Sequence, residues 1–283
     1  MDFDAVVVGA GHAGIEAGLA LARMGFQTLL ITQSLDTIGR MSCNPAVGGL
    51  AKGNMVREID ALGGEMGRLI DATMIQFRVL NRSRGPAVQA PRAQADKLAY
   101  AVLARKTLEG QKNLTLFMDT VSDFLLNADQ TAVEGVVTER GKRFSSKVVV
   151  LTTGTFLAGK LFVGEWSAPG GRLGEPSAYG LDRRLRELGF KVGRLKTGTP
   201  ARVKRSSLDF SKMEAQFGDE DIVPFSFGSL NVERSQLPCY ITYTNERTHQ
   251  VLKDNLHRSP LYSGKIVGNG PRYCPSIEDK VVK

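Results

Sequence analysis

The sequence predicts an α/β fold of the Rossmann-like, two-dinucleotide-binding type, carrying β-rich insertions. Three observations predict it. A short β-branched run, Ala5-Val6-Val7-Val8, enters Gly9-Ala10-Gly11-His12-Ala13-Gly14, as a buried parallel strand enters a nucleotide-binding turn. A small-residue helix and a second apolar strand follow at once. A further apolar strand, Lys147 to Leu151, then ends in the small-residue turn Thr152-Thr153-Gly154-Thr155.

Each element has a local reason. The helix runs from about Ala13 to Met24, with Ala17, Ala20, Leu21 and Met24 on one face, and Gly25 ends it. The next strand is Gln27 to Thr32. In a G-x-G-x-x-G of this kind Gly9 makes the tight turn, Gly11 lets backbone approach a pyrophosphate, and Gly14 lets helix and strand pack closely. The helix N-terminus then offers free N–H groups and a positive dipole end to phosphate. The acidic residue expected at the end of the second strand is missing: Thr32 and Gln33 stand there, and Asp36 comes later. The fingerprint alone therefore does not separate FAD from NAD.

Residues 36–53 are glycine-rich and read as a long shaped loop holding Cys43. Arg40 and Lys52 lie close in sequence and favour a thiolate, so Cys43 reads equally as a nucleophile or as a structural residue. Met55 to Leu62 reads as a helix. Arg78, Arg82, Arg84 and Arg92 punctuate a segment broken by Gly85-Pro86 and Pro91, either as a solvated face or as phosphate contacts. Gln94 to Leu108 is an amphipathic helix, and strands at 114–117, 121–126 and 132–138 form a β-rich excursion over about 114–145. Ala178 to Leu188 reads as a helix bearing Arg183, Arg184 and Arg186. With Lys191, Arg194, Lys196, Arg202, Lys204 and Arg205 it forms the most basic stretch of the chain. Residues 209–236 look polar and irregular. Pro238 to Tyr243 reads as a strand holding Cys239 as a packed thiol, and Glu246 to Leu256 as a helix.

The 283 residues suffice for one large or two modest domains, and 42% hydrophobic content with 31 glycines fits a globular α/β protein rich in tight turns. No run approaches the roughly 18 apolar residues of a membrane span. Met1-Asp2-Phe3-Asp4 is acidic, unlike a signal or transit peptide, so no membrane association and a cytoplasmic location are expected. Cys43, Cys239 and Cys274 are too few and too scattered for a disulfide framework or a zinc site, and no metal is expected. A net charge of +8 suggests a polyanionic partner.

Several segments occur together in the order of one family: G-A-G-H-A-G (9–14), D-T-I-G-R-M-S-C-N-P-A-V-G-G (36–49), R-A-Q-A-D (92–96), T-T-G-T-F-L-A-G-K (152–160), R-L-K-T-G-T-P-A-R (194–202) and G-P-R-Y-C-P-S-I-E-D-K (270–280). From about residue 4 onward the chain resembles the GidA (MnmG) family of FAD-dependent enzymes that install a 5-carboxymethylaminomethyl group on tRNA uridine.

The resemblance implies FAD as cofactor, NADH as reductant and methylenetetrahydrofolate as one-carbon donor. It also implies tRNA as substrate, the GTPase MnmE as partner and a homodimer in the full-length protein. It places Cys43 and Cys274 in the active site, where one would add to C6 of the wobble uracil and the other assist as acid or base. It assigns Gly9, Ala10, Gly11, His12, Ala13 and Gly14 to the pyrophosphate, with Val121 and Ser177 as further FAD contacts. The segment Gly270, Pro271, Arg272, Tyr273, Pro275, Ser276, Glu278 and Lys280 would bind NADH. The implied organisation is an FAD-binding domain over 1–199, an inserted α/β subdomain over 200–269 and a return segment over 270–283. Family members run on past Lys283, so an N-terminal portion, incomplete in its FAD domain, is expected. Two alternatives stand beside this reading. One is the folate- and FAD-dependent tRNA uracil methyltransferase, which lacks the Ser42-Cys43-Asn44-Pro45 loop. The other is a nucleotide-binding fragment without catalytic activity.

Overall fold

The computed structural model of the chain describes residues 2–268 and 276–283. It divides into two compact units, Met1–Gly154 with Phe217–Cys239, and Thr155–Gln216 with Tyr240–Lys283. The unit containing the glycine turn thus ends at Gly154, where the sequence suggested a boundary near 199, and it recruits a later segment.

In the first unit the elements in chain order are β1 (Phe3–Val8), α1 (His12–Arg23), β2 (Thr28–Thr32), β3 (Ala46–Gly48), α2 (Gly53–Ala61), α3 (Met66–Thr73), β4 (Met74–Leu80), β5 (Ala90–Ala95), α4 (Lys97–Glu109), β6 (Leu114–Met118), β7 (Val121–Leu126), β8 (Val133–Thr138) and β9 (Arg143–Leu151). The main sheet has the order β6-β2-β1-β9-β8-β7. β6, β2, β1 and β9 are mutually parallel, whereas β8 and β7 fold back antiparallel. β9 begins before its apolar run because its first residues pair with β8, Gly135 opposite Ser145, while the rest pairs with β1. β1 therefore stands where the strand order reverses, between β2 and β9. In open α/β sheets ligands bind at the carboxyl ends of strands at such a point.

α1 buries Gly14, Ile15, Gly18, Leu19 and Ala22, not the face of Ala17, Ala20, Leu21 and Met24 that the sequence suggested; Met24 is 70% exposed. The reason is steric. A Cβ at Gly18 would lie 3.1 Å from Leu30 Cδ1, so the bare glycine face is the one that approaches β2 closely.

A second, antiparallel sheet has the order β3-β5-β4. β3 lies inside the stretch expected to be irregular; it forms because Ala46, Val47 and Gly48 find partners in Gln94, Ala93 and Arg92. The helix expected from Gln94 starts instead at Lys97. Residues up to Ala95 belong to β5, and the Asp96 carboxylate caps α4 by accepting from Leu98 N (3.0 Å) and Ala99 N (3.1 Å).

The segment 217–239, read from sequence as polar and irregular, covers the free edge of β4. Asp219 N donates to Phe77 O (2.8 Å), Phe77 N to Gln236 Oε1 (2.7 Å), Val79 N to Asp219 Oδ2 (2.7 Å) and Leu237 N to Ile75 O (2.8 Å). An exposed strand edge is a template for aggregation, and this one is fully engaged. Phe225, wholly buried, packs edge-on to Phe77 at 6.2 Å. Its backbone is held by Asp71, which accepts from Phe225 N (2.8 Å) and Ser226 N (2.9 Å), while Asp60 accepts from Phe227 N (2.8 Å). Burial pushes the Asp71 carboxyl above the usual carboxylate range, and the two N–H bonds only partly offset this.

In the second unit β10 (Lys160–Val163) and β11 (Trp166–Pro169) form a hairpin, followed by α5 (Leu181–Glu187), β12 (Glu214–Gln216), β13 (Cys239–Ile241) at the boundary, α6 (Glu246–Asp254) and α7 (Ile277–Val282). The arginines of α5 are largely paired on their own helix: Arg183 and Arg184 with Glu187, Arg186 with Asp182. No helix among the described residues is long and apolar enough to cross a membrane.

Asp71→Ala leaves two buried N–H groups without an acceptor, each costing about 1–3 kcal/mol. We expect a loss of about 2–4 kcal/mol in unfolding free energy, read from the urea midpoint, and faster amide exchange across 219–237. Unchanged exchange there would show that Asp71 does not hold the segment.

Candidate functional site

The glycine turn is shaped by crowding on one side and open space on the other. Thr152, just past β9, sends both its N–H (2.9 Å) and its hydroxyl (2.8 Å) to Val8 O, and the hydroxyl also reaches Gly9 O (3.0 Å). Gly9 has φ +101°, and a Cβ there would stand 2.6 Å from Thr152 O. A Cβ at Gly14 would collide with the Gly9 carbonyl and with the Thr152 hydroxyl. A Cβ at Gly11, by contrast, would meet nothing within 4 Å. Gly14 and Gly9 are thus glycines for the protein's own packing, while Gly11 is bare on the side from which a ligand would approach.

α1 starts at His12 with no side-chain cap on its N-terminus and no acidic residue in its first turn. Its first N–H groups have no intrahelical acceptor and face an anion with the dipole in their favour. His12 packs edge-on against Tyr100 at 5.6 Å, fixing the turn to α4. Ala10 is buried and Ala13 exposed. These features fit a dinucleotide pyrophosphate.

At the end of β2 an amide stands where the acid is missing. Gln33 donates Nε2 to Thr120 Oγ1 (3.4 Å), and its Oε1 is buried with no hydrogen-bond partner. This amide carbonyl is an acceptor at the position where a carboxylate would receive a ribose hydroxyl. Asp36 does not take that part; its carboxylate pairs with Arg105 (2.7 Å). The sequence offered no signal for Gln33, since an amide there is unremarkable until its surroundings are seen. Val121 is buried at the start of β7, just after Asp119 N donates to Thr32 O (2.9 Å). It therefore lies at the same carboxyl edge of the sheet as Gln33.

The Cys43 loop is tied to the turn. Gly39 N donates to Ala10 O (3.0 Å), and Ile38 and Met41 are buried in the core. On the far side Pro45 O accepts from Ala95 N (2.7 Å) and Gly49 N donates to Pro91 O (2.8 Å). Cys43 itself is exposed. Cys239, in contrast, donates its thiol to Gln76 Oε1 (3.2 Å) and is packed.

Ser177, in the second unit, is buried and donates to Phe156 O (3.0 Å). Ser276 caps α7, exchanging hydrogen bonds with Asp279 (3.2 and 3.3 Å), and Glu278 accepts from Ser259 (2.9 Å). Lys280 is exposed. Gly270, Pro271, Arg272, Tyr273, Cys274 and Pro275 lie outside the described residues. The structure thus brings together residues 9–14, Gln33, Val121 and the Cys43 loop within the first unit.

The family model described as glucose inhibited division protein A matches residues 4–283. A protein of Borrelia garinii, called tRNA uridine 5-carboxymethylaminomethyl modification enzyme MnmG, is 71% identical over all of this chain and 46% of its own length. A relative of the same name from Treponema denticola is 58% identical, again over 46% of its length. A crystal structure of Aquifex aeolicus GidA superposes with TM-score 0.93 at 51% identity, covering 100% of this chain and 48% of that one. The chain spans about half the length of the curated relatives it matches.

Gly14→Ala and Gly11→Ala should part company. The first forces the turn apart and destabilises the chain by about 1–3 kcal/mol, seen as a lower melting temperature. The second leaves melting of the ligand-free chain unchanged and lowers dinucleotide affinity. Equal melting losses in both would mean that the turn is only structural.

Proposed function

This chain belongs to the glucose inhibited division protein A family, and on that premise we propose that it is the FAD-holding, cysteine-presenting portion of a tRNA wobble-uridine modification enzyme. The observation that carries the reading is the Gly39–Ala10 hydrogen bond, which ties the loop bearing Cys43 to the nucleotide-binding turn. The names of the relatives support the substrate class.

Residues 9–14 would receive the FAD pyrophosphate, Gln33 the adenosine ribose, and Val121 and Ser177 would make further contacts. Bound FAD supplies two-electron transfer, with NADH as reductant and methylenetetrahydrofolate as the one-carbon source. The segment 270–280 is proposed to take NADH. C5 of uracil is not nucleophilic until something adds at C6, and a thiolate is both a good conjugate donor and a fair leaving group. One of Cys43 and Cys274 adds at C6 and the other holds or moves the proton. Exposed Lys191, Arg194, Lys204 and Arg205 offer phosphate contacts to tRNA. The GTPase MnmE, a homodimer and a cytoplasmic location belong to the same reading.

Replacing both Cys43 and Cys274 by Ser in the full-length protein should abolish tRNA modification while leaving flavin absorption in place; intact modification would sink the thiol mechanism. Gln33→Leu should weaken FAD binding about tenfold without affecting FMN, which lacks the adenosine. Equal weakening of both flavins would remove Gln33 from the ribose. For tRNA, Lys204→Gln with Arg205→Gln should lower affinity and reduce the salt slope by about one per lost phosphate contact. Absence of tRNA binding at low salt would count against an RNA role for this stretch.

A further inference from the structure

The arginines that interrupt the middle of the chain occupy specific places in the β3-β5-β4 sheet. Arg78 on β4 lies directly opposite Arg92 on β5, and Arg92 lies opposite Gly48 on β3. Directly opposed residues share a face, with Cβ atoms about 4.5–5.5 Å apart. The other face carries Phe77, Ala93 and Val47, all in the core. The two arginine side chains therefore leave the same polar face from directly opposed positions, Arg92 Cδ passing close to Gly49, and both residues are half-buried.

Like charges directly opposite one another destabilise a sheet. Carboxylates usually relieve such a pair, but among the described residues neither Arg78 nor Arg92 makes an ion pair. The nearby acid is committed elsewhere: Asp219 Oδ2 accepts from Val79 N (2.7 Å) and pairs with Arg82 (3.2 Å). Arg78 Nε is moreover buried with no hydrogen-bond partner. Gln76, two residues along the same face, is engaged with Leu237 O (3.1 Å) and the Cys239 thiol (3.2 Å) and offers no relief. Beside Arg92 the third strand presents Gly48, so no side chain covers the pair from that position.

We propose that Arg78 and Arg92 form a clamp for a phosphate group, carried by a nucleic-acid backbone or free in solution. Two adjacent guanidiniums present parallel N–H donors that match the oxygens of one phosphate, and a bound anion removes the repulsion between them. The clamp uses no residue of the glycine turn, so it stands or falls separately from the flavin reading.

The test is thermal unfolding of the whole chain in chloride and in inorganic phosphate at matched ionic strength. Phosphate should raise the melting temperature of the parent chain by more than it raises that of Arg78→Gln or Arg92→Gln, in both of which the glycine turn is intact. In chloride the two arginine variants should melt at the same temperature as the parent or higher, because the like-charge contact is gone. Binding of a short single-stranded RNA then separates the sources. A loss of about fivefold or more in Arg92→Gln, with a shallower salt slope, assigns the clamp to backbone phosphate. Unchanged RNA binding with a lost phosphate increment assigns it to free phosphate. The proposal is overturned if the parent shows no phosphate increment, if the arginine variants keep it, or if they melt lower than the parent in chloride.

Discussion

The first unit depends on the contact between Thr152 and the carboxyl end of β1. There the end of β9, the end of β1 and the start of α1 converge. Thr152 directs its amide and its hydroxyl onto Val8 O, with the hydroxyl also at Gly9 O, while Gly9 and Gly14 supply the space that makes this approach possible. β1 is the strand at which the sheet order reverses, so the contact joins the two halves of the sheet at the point where open α/β sheets bind ligands. The same close packing that seals the turn on its inner side leaves Gly11 facing open space.

From that point order spreads outward first through backbone hydrogen bonds and then through carboxylates that hold backbone N–H groups. Gly39 N–H on Ala10 O carries the turn's position into the next loop, and β3 carries that loop into the second sheet. The second sheet has its own free edge, which the segment 217–239 closes. Asp71 is an expensive device for this purpose, a carboxylate taken out of water and only partly compensated by two N–H groups. It places the wholly buried Phe225 ring against Phe77.

Where structure follows from short-range pattern, the sequence was readable. β1, α1 and β2 and the excursion through β7 and β8 carry their signals in periodicity and in glycine spacing. Where structure needs a distant partner, it was not. β3 exists because Gln94, Ala93 and Arg92 lie alongside it, and 217–239 is ordered by Asp71, Asp60 and the edge of β4. On α1, hydrophobicity points to Leu21 and Met24, whereas the buried face is set by the close approach to Leu30 that Gly18, having no side chain, permits. In the candidate site, the spacing of Gly9, Gly11 and Gly14 and the loop holding Cys43 are legible in the sequence, whereas Val121 and the active-site role of Cys43 come only from resemblance. Gln33 shows in the sequence only as a missing acid; its orientation depends on Thr120, which chain order does not place beside it.

Gln33 Oε1 and Arg78 Nε share a property that connects folding with binding. Each is a buried polar atom with no hydrogen-bond partner among the described residues, and such an atom costs the folded state about 1–3 kcal/mol. A chain optimised for stability alone would have replaced either with an apolar group of similar shape at little loss. Their positions argue for the alternative: one ends the strand beside the nucleotide turn, the other faces a second guanidinium across a strand pair. A ribose hydroxyl at the first and a phosphate oxygen at the second would each supply the missing partner, and by linkage any group that binds only the folded chain stabilises it. The first backbone N–H groups of α1, by contrast, lack only intrahelical acceptors, as at any helix start, so the turn itself does not require a ligand in order to form.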